Sequence, residues 1–160
     1  MFAKSSTPTP TTYPRSAVAV MYGGLALTVL TLAVPYVDRA TTNVLAAHIR
    51  SGYPDYGAAR VAEAVTLWLT YLTVLGVLGA VTWLVLARAT RRGRPWARRA
   101  APVLLLAGGG VALFNLLVRD TSGDTGLPPL LGLTGLLPVV AGVVAVVLLW
   151  RPSPPAPAGR

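Results

Sequence analysis

The sequence has 160 residues, of which 54% are hydrophobic and only 12% charged, and its 14 Lys and Arg against 5 Asp and Glu leave a formal net charge of +9. Soluble domains carry about one quarter charged residues, so a soluble fold is not expected, and the chain lacks the folded polar surface on which nucleic-acid readers cluster basic and aromatic side chains. With no cysteine and a single histidine, His48, the chain excludes disulfide scaffolds, CxxC redox motifs, iron–sulfur clusters, thiol nucleophiles and bis-histidine haem ligation within one subunit.

In chain order, residues 1–16 are rich in Thr and Pro and lack the apolar surface that would repay backbone ordering, so a disordered tail is expected. Residues 17–37 form a first apolar run. A hydrocarbon core of about 30 Å needs about 20 helical residues, which this run supplies. Pro35 removes one backbone donor near its end and is expected to kink the last turn. In the long polar connection 38–60, Val44, Leu45, His48 and Ile49 recur at helical spacing before Ser51-Gly52, which predicts a short amphipathic helix at the membrane surface.

A second span is expected over 61–87, with Thr66, Thr70 and Thr73 in a row at i, i+4, i+7. Such a row is expected to face other helices, the hydroxyls bonding across the interface or back to the i−4 carbonyl. The third span, 102–118, opens on Pro102 and contains Gly108-Gly109-Gly110, which would let a neighbouring backbone approach closely. After a turn-rich loop from Arg119 to Pro129, a fourth span over 130–150 lines up Gly132, Gly135, Val139 and Gly142, with Pro138 bending the helix. The closing residues 151–160 read as a second disordered tail.

Four spans divide the charges unevenly. Lys4, Arg15, the six arginines Arg88, Arg91, Arg92, Arg94, Arg98 and Arg99, Arg151 and Arg160 make ten cations on one side with no acid. The other side sets Arg39, Arg50, Arg60 and Arg119 against Asp38, Asp55, Glu63, Asp120 and Asp124, four cations against five acids. The positive-inside rule then predicts a multi-pass protein of the cytoplasmic membrane with both termini cytoplasmic. The six clustered arginines are also expected to meet anionic headgroups. Trp83, Trp96 and Trp150 on that side, and Tyr36, Tyr53 and Tyr56 on the other, fit interfacial aromatic belts.

Ionisable groups inside hydrocarbon are functional suspects, and none lies at a midplane here. Glu63 comes nearest, one turn into the second span, where Arg60 at i−3 can pair with it. A proton-coupled role would liken the chain to small four-span multidrug exporters, but those carry their glutamate deep in the first span, and this first span has none. Asn115 is expected to hydrogen-bond a neighbouring helix. On the acid-bearing side His48, Asp55, Glu63, Asp120 and Asp124 could converge on a cation, although no HxxxH or DxDxDG spacing supports it, and no metal or cofactor is expected. The GYPDYG segment and the loop that opens at Arg119 could together cap the bundle and present a recognition surface. No nucleophile–base pair or phosphate loop is present, so a non-enzymatic protein is expected.

The strings HIRSGYPDYG, RRGRPWARR and RDTSGDTGLPPLLG resemble a group of small four-span proteins of high-G+C Gram-positive bacteria described only as integral membrane proteins. The resemblance covers about residues 38–150 and implies the fold and the membrane, but no catalytic residue. The expected architecture is therefore an all-α bundle of four transmembrane helices with a short interfacial helix in the first outer connection. Its expected role is that of an accessory or scaffold protein acting by helix–helix or outer-loop contacts, with a homo-oligomer or another membrane protein as partner and no nucleic acid. The alternative is a small oligomeric transporter or channel using Glu63 and the Thr66, Thr70 and Thr73 face.

Overall fold

Hydrocarbon offers no hydrogen-bond partner, so an apolar chain satisfies its backbone within helices. The computed structural model describes residues 15–151, and among these there is no strand, only one bridge pairing Arg119 with Thr125. The helices are α1 (Arg15–Ala40), α2 (Val44–Gly52), α3 (Ala58–Arg91), α4 (Pro95–Leu117), α5 (Pro129–Thr134) and α6 (Leu136–Trp150). Helices α5 and α6 form one span broken at Gly135, so four stretches are long and apolar enough to cross a membrane: Arg15–Ala40, Ala58–Arg91, Pro95–Leu117 and Pro129–Trp150. The protein is an all-α four-helix membrane bundle. Its outer surface is apolar, with Leu30, Leu67, Leu106 and Leu130 all more than 60% exposed, as suits a surface solvated by lipid.

Helix α1 packs along both α3 and α6, α6 packs along α4, and the ring closes where α4 returns beside α3 with the sparsest packing of the four. Two apolar clusters pin the ends. One joins Ala17 and Met21 of α1, Leu86 and Ala87 of α3, Ala97 and Ala101 of α4, and Ala145 and Leu149 of α6. This is the arginine end. At the opposite, cap end, Leu45 and Ile49 of α2 meet Val61, Val65 and Leu69 of α3 and Leu127 and Leu131 of the fourth span.

The helices run past the expected boundaries. At about 1.5 Å per residue the 34-residue α3 is about 50 Å long, well beyond the hydrocarbon thickness. Arg88 and Arg91 therefore ride on its last turn, and α4 begins at Pro95, so that Arg98 and Arg99 are helical too. The arginine connection shrinks to Arg92, Gly93 and Arg94, turning through Gly93 at φ 65°. The tails expected at 1–16 and 151–160 fall outside the described residues, apart from Arg15 and Ser16, which open α1, and Arg151.

Several faces differ from expectation. Trp83 is not an interfacial anchor: it packs with the cluster at the arginine end, its ring lies against Gly24, and its Nε1 donates to Thr28 Oγ1 at 3.1 Å. The glycines of the fourth span serve packing inside the chain, because a methyl group on Gly132 or Gly142 would press on Leu116 or Leu105 of α4. Pro138 withholds the N–H that Thr134 carbonyl would accept, and Thr31 of α1 supplies a hydroxyl to that carbonyl at 3.2 Å.

A side chain at Gly24 would overlap the Trp83 ring, whereas one at the adjacent Gly23 meets nothing within 4 Å. Gly24→Ala is expected to destabilise the protein by about 1–3 kcal/mol and Gly23→Ala to leave it unchanged within about 0.5 kcal/mol. Thermal unfolding in detergent compares the two, and equal losses would show that this α1–α3 approach is not close.

Candidate functional site

Asp38 builds the cap end. It is the last buried residue of α1, and its carbonyl accepts from Thr41, Thr42 and Asn43, closing that helix. Its carboxylate accepts from the backbone N–H of Val44 at 2.8 Å and of Leu45 at 3.0 Å, and from the Thr42 hydroxyl. These N–H groups are orphan donors of α2, whose own N-cap residue, Asn43, sits at φ 53° and makes no side-chain cap. One acidic side chain thus ends one helix, starts the next and sets the angle between them. Helix α2 then lays Leu45 and Ile49 onto the end of the bundle.

The second connection at this end closes on the first. His48 Nε2 lies 2.6 Å from the Thr125 carbonyl, which can only accept, so this nitrogen carries the proton. Tyr53 hydroxyl and Thr121 hydroxyl share a bond at 2.7 Å, and a side chain on Gly52 would meet Ser122. Within the loop, Asp120 N–H donates to Asp124 carbonyl, Gly126 N–H to Val118 carbonyl, and Gly123 takes φ 88°. Burial acts to raise the Asp120 pKa, but bonds from the Ser122 backbone and hydroxyl and from Tyr53, with the charge of His48, outweigh it and hold this carboxyl below its ordinary 3.8.

The structure brings some expected residues together and leaves others apart. His48 and Asp120 belong to one hydrogen-bonded cap, and Arg119 pairs with Thr125 as an isolated bridge. Asp124 accepts from the N–H of Thr125 beside it. Asp55 and Glu63 are exposed. The Arg60 guanidinium sits 4.6 Å over the Tyr56 ring, which itself stacks on Tyr53 at 4.7 Å. Among the described residues no three His, Asp or Glu side chains gather as a metal site would need. Asp38, Tyr53 and Thr121 were not among the candidates. The only sequence signal for Asp38 is an acid followed four residues later by Thr42 and then by an apolar helical pattern.

Inside the bundle most polar groups are partnered, with Thr90 Oγ1 and Arg98 Nε the buried exceptions among the described residues. Thr66, Thr70 and Thr73 donate to the carbonyls four residues back at 2.6–2.9 Å. Thr66 and Thr70 are exposed on the outside of α3, contrary to the expectation that the row would face other helices, and Thr73 reaches Tyr36 of α1. Asn115 is buried and accepts from the Tyr71 hydroxyl at 2.9 Å, tying α4 to α3. At the arginine end Arg88, Arg91, Arg92, Arg94 and Arg99 are exposed, while Arg98 lies 4.4 Å over the Trp150 ring.

The lowered Asp120 pKa means that its carboxylate favours the closed loop above its ordinary pKa and loses that contribution as pH falls through the lower folded value. In amide NMR spectra of the detergent-solubilised protein, the Ser122 N–H is expected to titrate with a midpoint below 3.8. Asp120→Asn abolishes that step. A midpoint above 3.8 would mean that the loop does not favour the carboxylate.

Comparison of the chain with protein-family models, with curated proteins and with solved structures finds no match.

Proposed function

We propose that this chain is a non-enzymatic accessory protein of the cytoplasmic membrane that works by contact, presenting its cap to another membrane protein on the outer face. The observation that carries the reading is the closure of two separate connections into one surface, through His48–Thr125 and Tyr53–Thr121. Loops bonded to each other and seated on an apolar cluster hold a shape that a partner can recognise with little further loss of entropy. Arg50, Ser51, Asp55, Thr121, Ser122 and Asp124 stand exposed around it, a mixed polar rim of the kind that specifies orientation in an interface.

The charge distribution supports both termini on the cytoplasmic side, with the arginine end among anionic headgroups. Each arginine near that surface contributes about 1 kcal/mol. Arg88 and Arg91 also sit in the last turn of α3, where cations complement the helix dipole.

A transporter is the second reading, favoured by one observation: Glu63, Thr66 and Thr70 form an exposed polar stripe at i, i+3, i+7 on α3. The stripe faces out of the bundle, so it could line a path only against a second copy.

Three measurements separate these readings. With no native cysteine, a Ser51→Cys variant should react with an impermeant maleimide on intact cells and an Arg92→Cys variant only after permeabilisation, and the reverse pattern sinks the orientation. A photo-crosslinking residue at Asp55 or Ser122 should give one discrete protein adduct in cells, and one at lipid-facing Leu106 none. Absence of an adduct from both cap positions removes the contact reading. Proton-coupled flux in proteoliposomes that Glu63→Gln abolishes would instead establish the transporter.

A further inference from the structure

Between its two pinned ends the bundle is hollow. A cavity of about 410 Å³ runs from Trp83 and Ala145 near the arginine end to Asn115 and Leu131 near the cap. Its size falls within the range of sites for small hydrophobic ligands, which span about 300–1,000 Å³. Its walls are almost wholly apolar side chains and glycine. The wall residues that are also exposed are Leu78 of α3 and Leu104, Ala107, Gly108 and Val111 of α4. The cavity therefore opens sideways, between α3 and α4, onto the surface that lipid solvates. The mouth is bounded at one end by the short turn joining the two helices and at the other by the Tyr71–Asn115 hydrogen bond.

Asn115 supplies the second observation. It is more than nine-tenths buried, it lines the cavity, and Tyr71 satisfies one of its two amide heteroatoms. The Tyr71 hydroxyl donates to the amide oxygen, and among the described residues no hydrogen bond runs from the amide nitrogen, which is left to donate toward an acceptor. An amide N–H without an acceptor is costly in hydrocarbon, and so is an empty cavity whose lining lacks neighbours. A single occupant relieves both if it is a hydrocarbon chain with an oxygen at its cap-side end. Asn115 stands two residues from the end of α4, about 3 Å along the axis, shortly before the charged Arg119 and Asp120.

We infer that the cavity holds one acyl tail of a bilayer phospholipid from the cap-side leaflet, entering between α3 and α4, with its ester group bonded to Asn115. The site is independent of the cap-contact reading, since it involves none of the cap's exposed residues.

Trp83 lines the cavity and reports on it. A protein carrying Trp68→Phe, Trp96→Phe and Trp150→Phe keeps Trp83 alone. In vesicles of phosphatidylcholine brominated at mid-chain, its fluorescence is expected to fall at least about twofold relative to unbrominated vesicles. Gly108→Phe fills the mouth where an added side chain meets nothing within 4 Å, and it should restore most of the emission. Val111→Phe tests the same point from the next turn. Equal emission in both lipids, or quenching that neither mouth variant changes, overturns the site. For the oxygen contact, the purified protein should retain the ester phospholipid over its ether-linked analogue by about three- to tenfold, the range one hydrogen bond gives. Asn115→Leu should remove that preference, and a preference that persists in this variant overturns the Asn115 contact.

Discussion

Hydrocarbon surrounds the middle of this chain and offers no partner to any donor or acceptor, and the placement of the polar residues follows from that. Each intramembrane threonine hydroxyl with a resolved bond gives its proton to a carbonyl of the protein: Thr28, Thr66, Thr70, Thr73 and Thr82 to the residue four back, Thr134 to the residue three back, and Thr31 to the carbonyl that Pro138 leaves open. Three groups that are not served by their own helix, the Trp83 indole and the Tyr71 and Tyr36 hydroxyls, cross to Thr28, Asn115 and Thr73. Polar residues here act as fasteners between helices whose apolar contacts with each other gain little over contacts with lipid. The Trp83–Thr28 bond joins α3 to α1 and the Thr31–Thr134 bond joins α1 to the fourth span. Helix α1 is the element through which three of the four spans are tied together.

At the cap end water returns, and the logic changes. Asp38 remains buried although it is charged, because three donors converge on its carboxylate and two of them belong to the exposed end of α2. A helix N-terminus and a carboxylate satisfy each other better than either is satisfied by neutral partners. This places α2 over the bundle rather than out on the lipid surface, and so brings His48 within reach of Thr125. The cap is thus a consequence of one corner residue, with the two loop-to-loop hydrogen bonds fixing what that corner has already brought together.

How much of this could be read from the residues depends on whether water or lipid lies outside each element. The four spans were legible because length and hydropathy set them, and α2 was legible because one of its sides meets water, leaving Leu45 and Ile49 at helical spacing. Inside the membrane that contrast vanishes: lipid-facing and bundle-facing positions are both apolar, so periodicity cannot say which side of α3 faces in. That is why the threonine row was expected to point inward and instead lies largely outside. Trp83 looked like an interfacial anchor for the same reason, since a tryptophan near a span's end has the same sequence appearance whether it faces headgroups or packs on Gly24. The arginine connection was too long on paper because arginine is a good helix former and only Gly93 and Pro95 interrupt the helix between Arg88 and Arg99, Pro95 serving also as the first residue of α4.

Glycine decides where the bundle is dense and where it is hollow. Gly24, Gly76, Gly132 and Gly142 each face a side chain of a neighbouring helix that any added carbon would displace, so these positions bring backbones together. Gly108 and Gly110 do the opposite: no neighbour comes within 4 Å of where their side chains would be. Gly108 and Gly109 of α4 line the cavity without side chains to fill it, while Gly76 and Gly79 of α3 are taken up by their contacts with Leu32 and Thr28 of α1. In a soluble protein such a gap would collapse or fill with water. In a bilayer neither outcome is available at an apolar opening, because the helices are held at both ends and the only solvent is hydrocarbon, so the same small residue that tightens one interface leaves the next one open to the membrane.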